Sequence, residues 1–140
     1  MISLLVCGLA MSAQFSNMEY TQFSIKKLQQ SMIQCGMDVE YQWPLINFLL
    51  YGMAPGSFFT SVLSNDYHSA ILHSHPSNTM TALKPVSQWL QCYLYCCPYI
   101  GSHEALGNWY ALSDIERRTV LESRGLVYTE EQEVELALKS

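Results

Sequence analysis

The positions where this chain cannot continue a helix decide most of what it can become. Gly36, Gly52, Pro55, Pro98, Gly101 and Gly125 are spread along it, with a further break at His73-Ser-His-Pro-Ser-Asn78. Glycine suits the residue just past a helix because left-handed backbone costs it nothing, and proline cannot sit in a helix interior without losing a hydrogen bond. Between these breaks the apolar residues recur at helical spacing. The spacing therefore predicts a string of short helices and no sheet.

Ser24 can cap a helix to Cys35, with Ile25, Leu28, Met32 and Cys35 at helical spacing and Gly36 as the stop. Pro44 suits a first helical position, where its missing N–H costs nothing. Leu45, Ile46, Phe48, Leu49 and Leu50 follow it, apolar nearly all round except for Asn47, which marks a central helix ended by Gly52. Pro55 opens a helix to Leu72. Its apolar face holds Phe59, Val62, Leu63, Tyr67, Ala70 and Ile71, and Ser57, Ser61, Ser64, Asn65 and His68 lie opposite. After the His73–Asn78 loop, a helix capped at Thr81 runs to Cys97, with Pro85 in its first turn and Leu83, Val86, Leu90, Tyr93 and Cys97 as its seam. Ser102 caps a short helix from His103 to Leu112. Two capping boxes, Ser113-x-x-Glu116 and Thr129-x-x-Gln132, predict helices over 114–124 and 130–138. Leu126-Val127-Tyr128 between them is a strand candidate without a pair. The expected class is all-α, an irregular compact bundle of five to seven short helices.

Residues 18–140 are expected to form one helical domain, preceded by a poorly ordered or loosely packed apolar extension over 1–17. That extension could be a signal segment or an upstream start ahead of Met18. It lacks the basic flank of a secretory signal, although Ala10-Met-Ser-Ala13 resembles a cleavage site, and it is too short to span a bilayer.

Charge narrows the partners. The chain has 7 Lys and Arg against 12 Asp and Glu, a net charge of −5, and only 14% charged residues. That excludes a broad phosphate-binding face, so no nucleic-acid partner is expected. Four of the carboxylates, Glu130, Glu131, Glu133 and Glu135, read as one solvated helix face. The apolar surplus predicts uncovered patches, hence a protein partner or a homodimer. Trp43, Trp89 and Trp109 are candidates for such a binding surface or for packing in the core. Five cysteines, three of them clustered at Cys92, Cys96 and Cys97, make a poor disulfide framework and fit reduced thiols in the cytoplasm.

Few residues point to chemistry. His73-Ser-His75-Pro76 resembles the His-Ser-His-Pro core of the zinc-dependent deubiquitinase-like (JAB/MPN) metalloproteases. Where that family expects its third ligand stand Pro85 and Val86, which leaves a metal site short of a donor. A second arrangement would join His68, His73 or His75 to Cys92 and Cys96, an i,i+4 pair on one predicted helix, and would suit zinc. Against it, cysteine is commonly a small core hydrophobe. A small metal-dependent hydrolase using the His73-Ser-His75 loop is thus the alternative to a non-catalytic protein. No catalytic residue and no cofactor is otherwise assigned. Three polar residues are assigned structural roles: Asn65, Ser102 as a helix cap, and Asp66. The helical register puts Asp66 on the apolar face, either as an active-site acid with a raised pKa or as a carboxylate that caps a neighbouring helix or accepts from tryptophan or backbone N–H groups.

The block Leu49-Leu-Tyr-Gly-Met-Ala-Pro-Gly-Ser-Phe-Phe-Thr-Ser-Val-Leu-Ser-Asn-Asp66, followed by an apolar helix, Pro98 and Gly101-Ser102…Trp109, resembles small uncharacterised proteins of phages and prophages. The likeness covers roughly 45–110. The histidine loop and the cysteine cluster depart from it, and 113–140 lies outside it. It implies a phage origin, the cytoplasm of the host cell and a host or phage protein as partner. It supplies no catalytic residue.

Overall fold

A computed structural model describes residues 20–74 and 80–140, which contain eight α-helices and no strand. They are α1 (Gln22–Gln34), α2 (Val39–Tyr51), α3 (Ser57–Leu63), α4 (Tyr67–Leu72), α5 (Met80–Tyr93), α6 (His103–Ala111), α7 (Asp114–Ser123) and α8 (Glu130–Lys139). The all-α class holds, with eight helices in place of five to seven. Residues 1–17 lie outside the described residues. Among the described residues no helix is long and apolar enough to cross a membrane.

The extra helix arises at Asn65. The single helix expected from Pro55 to Leu72 breaks there, because Asn65 adopts φ +63. Asparagine tolerates this left-handed conformation better than other non-glycine residues. Asp66 N–H then bonds the carbonyl of Ser61 at 2.8 Å and Asn65 N–H that of Val62 at 3.1 Å. This pair of bonds closes a helix end in the way the glycines do after α1 and α7.

Four starts differ from expectation, and the first is α3, which begins at Ser57 after Gly56 instead of at Pro55. α1 begins after Thr21, so Ser24 is not its cap but its third residue, buried and aimed elsewhere. α2 begins after Asp38, and Pro44 lies inside it. The bond Pro44 cannot donate belongs to the carbonyl of Glu40, an exposed residue whose carbonyl water can serve. α5 starts at Met80 and also carries its proline, Pro85, inside. It stops at Tyr93, short of Cys97. Cys96 takes φ +57 in the turn that follows.

Leu126 and Val127 form no strand; they are buried links between α7 and α8. Both capping boxes form in full, at Ser113 with Glu116 and at Thr129 with Gln132.

α2 is the centre. It buries Tyr41, Gln42, Leu45, Ile46, Phe48, Leu49 and Leu50, and packs against α1 and α7. Leu28 and Met32 of α1, Val86 and Trp89 of α5, and Leu106 and Trp109 of α6 complete the core. Trp89 is 0% and Trp109 2% exposed, so neither can form a binding surface. Each indole N–H is satisfied inside, Trp89 by Ser31 Oγ and Trp109 by the carbonyl of Phe48, both at 2.9 Å. A buried tryptophan needs such a partner, and these two bonds fix α5 on α1 and α6 on α2.

Candidate functional site

Asp66 is not on a buried face. The break at Asn65 rotates it out, its side chain is 34% exposed, and it caps α4 by accepting from Ser69 N–H at 3.1 Å. Its Oδ2 lies 3.3 Å from Nε2 of His103, the first residue of α6, whose entry Ser102 caps by accepting from Ala105 N–H at 3.0 Å. The bond from Ser69 N–H, then the one to His103, holds the Asp66 carboxyl below the usual range. A raised pKa for an active-site acid is thereby overturned.

Ser64 Oγ also sits near His103, 3.4 Å from the same Nε2. Serine, histidine and aspartate are thus gathered here: Asp66 and His103, with Ser57 and His73, line an open cleft of about 430 Å³, and Ser64 is buried beside His103. The composition is that of a hydrolytic triad; the geometry is not. A relay needs the carboxylate on one imidazole nitrogen and the hydroxyl on the other, so that the proton taken from serine is balanced across the ring. Here both partners meet Nε2. The Ser64 hydroxyl also reaches the carbonyl of Ser61 at 3.2 Å, a helix-terminal role. Asp66→Ala should lower the melting midpoint modestly through loss of the cap, and an unchanged midpoint would refute the capping role.

The proposed metal ligands do not converge. Cys92 lies in the last turn of α5, and Cys96 lies beyond it in left-handed backbone, so the i,i+4 register on one helix does not exist. Both are exposed. His73 ends α4 at the cleft, and His75 lies outside the described residues. Among the described residues no group of three or more His, Cys, Asp or Glu is placed to hold a metal ion.

The most elaborate polar cluster was not expected. Glu133, read as part of a solvated face, is buried. Its Oε2 accepts from Thr21 N–H at 3.1 Å, Thr21 Oγ1 at 2.6 Å and Ser24 Oγ at 2.5 Å. Its Oε1 accepts from Arg118 Nη2 at 2.6 Å. Arg118 also donates to Glu122 at 3.0 Å and to the carbonyl of Tyr128 at 3.1 Å, and its guanidinium lies over the Tyr20 ring. The cluster ties α1, α7 and α8 together. It is a structural clasp, since both oxygens of the carboxylate are already taken by protein donors. The sequence misleads here, because Val134 and Leu138, four apart on α8, form its apolar stripe and yet are exposed, while Glu133 faces inward.

Trp43 is the tryptophan left at the surface, 45% exposed. Val39, Trp43, Asn47 and Tyr51 follow one another in steps of four along α2, and Val39, Trp43 and Tyr51 are exposed. They mark one side of the central helix over about 18 Å.

Comparison of the chain with family models, with curated proteins and with solved structures gives no match.

Proposed function

We propose that this is a phage-type helical protein that acts by binding another protein, in an accessory, regulatory or anti-defence role in the host cytoplasm, without catalysis of its own. The observation that carries this reading is the solvent exposure of Val39 and Trp43, with Tyr51, along one side of α2. A central helix normally hides its whole circumference, yet this one leaves Val39, Trp43 and Tyr51 exposed. Tryptophan and tyrosine are the residues most often found at the energetic centre of protein interfaces. The misassembled Ser64–His103–Asp66 trio supports a non-catalytic role.

Affinity capture from bacterial lysate with the wild-type chain and Trp43→Ala tests it. The expected result is a host or phage protein retained by the wild type and lost with Trp43→Ala, at an unchanged circular dichroism spectrum. Capture of nothing, or equal capture by both chains, would refute the reading.

A further inference from the structure

α1 is a basic helix in a chain of net charge −5. It carries Lys26 and Lys27 side by side and no acidic residue, so neither ammonium has a carboxylate one turn away on its own helix. Neither forms an ion pair with a described residue. The arginines are engaged elsewhere: Arg117 with Asp114, Arg118 with Glu133 and Glu122, and Arg124 with the carbonyl of Tyr95 at 2.7 Å.

Both lysines line an open groove of about 410 Å³. At 3.6 residues per turn, its α1 residues Phe23, Lys27, Gln30 and Gln34 fall within an arc of about 60° and span about 16 Å of the helix. The other wall comes from Tyr93 at the end of α5, Tyr128 ahead of α8, and Leu136 on α8. Phe23, Tyr93, Tyr128 and Leu136 are all half-buried, so each keeps part of its apolar surface for the groove. The wall at Tyr128 is fixed in advance. Its N–H donates to Ser24 Oγ at 3.1 Å, its carbonyl accepts from Arg118 Nη2 at 3.1 Å, and Lys27 Nζ lies 4.5 Å from the centre of its ring. Ser31, also on the lining, is engaged already: its Oγ accepts from Trp89 Nε1 and donates to the Leu28 carbonyl.

An occupant that complements this surface is anionic at the lysines, apolar at the rings and elongated. The three turns of α1 match about five residues of extended chain at roughly 3.3 Å each. Gln30 and Gln34 add carboxamides, which both donate and accept as a peptide backbone does. A small carboxylate would neutralise the lysines and leave the far end of the groove empty. We infer that the groove is the docking site of an extended acidic segment of another protein. Its carboxylates meet Lys26 and Lys27, and an aromatic or branched side chain beside them lies against Phe23, Tyr93 and Tyr128. A wall that is already fixed needs no ordering when the segment arrives. The acidic remainder of the chain repels such a segment and directs it to the lysine pair. None of the described lining residues belongs to α2, so the inference does not depend on Trp43.

Calorimetric titration of the full chain with a capped peptide, in which glutamates stand on both sides of a Phe-Leu pair, tests this. Binding at one site is expected, weaker as salt screens the charges. Lys26→Glu with Lys27→Glu should weaken it about tenfold or more, and should instead take up the same peptide with lysines in place of its glutamates. Phe23→Ala should weaken binding severalfold at an unchanged circular dichroism spectrum, and Trp43→Ala should bind like the wild type. No binding by the wild type, or equal binding by the double lysine variant, would overturn the inference. So would equal affinity for a peptide with Gly-Gly in place of Phe-Leu, which would reduce the contact to charge alone. Benzoate or inorganic phosphate bound as tightly as the peptide would assign the groove to a small anion and overturn it too.

Discussion

Replacing Glu133 by alanine is expected to be the most damaging single change in the chain, costing about 3–5 kcal/mol of folding stability. It would leave Arg118 without its closest counter-charge and strand the donors of Thr21 and Ser24 in a buried site. Glu133→Gln should cost less, because an amide oxygen still accepts from one of these donors. Urea denaturation followed by circular dichroism would measure both, and a loss under about 1 kcal/mol for alanine would contradict the clasp.

The pH dependence has a definite sign. Burial resists ionisation of Glu133, but the bonds from Ser24 and Thr21 and the charge of Arg118 outweigh it, so its carboxyl lies below the usual range. A depressed carboxyl stabilises the fold fully above its unfolded pKa of about 4.3 and loses that contribution as pH falls through the folded value. The stability gap between wild type and Glu133→Gln should therefore be constant near neutrality and close in acid. A gap that did not change with pH would show that shape, not charge, holds α8.

The second large effect is expected at Gly52. Its φ of +67 already disfavours a side chain. A Cβ there would stand 2.8 Å from Arg117 Nη1 and 2.9 Å from its Cζ. That guanidinium is buried and cannot swing aside freely, because the Leu112 carbonyl holds it at 2.6 Å and Asp114 grips the other nitrogen. Gly52→Ala is expected to cost about 2–4 kcal/mol, combining left-handed backbone with a displaced buried arginine. Gly125→Ala separates the two causes. It has φ +72 but no atom within 4 Å of the added Cβ, so it should cost only the backbone share, about 1–2 kcal/mol. Equal losses at the two sites, read from thermal melts, would remove Arg117 from the explanation.

What could be read in the sequence was local. The stops at Gly36 and Gly52, the cap at Ser102 and the two capping boxes involve residues within one turn of each other, so their chemistry is visible in a short window. Asn65 was hidden because asparagine accepts helical and left-handed backbone alike, and only the packing of α3 and α4 selects between them. Pro44 misled because a preference for the first turn is not a requirement when an exposed carbonyl can turn to water. The tryptophans carried no label of inside or outside; Ser31 and the Phe48 carbonyl decide for Trp89 and Trp109, and neither partner is near in sequence. Glu133 was the extreme case. Three of its four donors, those of Thr21 and Ser24, come from residues more than a hundred positions away, and no periodicity reports that.

That separation bears on how the chain matures during synthesis. Thr21 and Ser24 leave the ribosome early, and the carboxylate that satisfies them is made 112 and 109 residues later. At about 5–20 residues per second the nascent α1 waits several seconds or more with its hydroxyls still serving water. The aliphatic residues of α1 and α2 can meet in that interval, but the electrostatic lock cannot close until α8 has emerged. Translation order thus places hydrophobic assembly first and the ionic clasp last, and a ribosome stalled between α7 and α8 would carry a collapsed chain that lacks this lock.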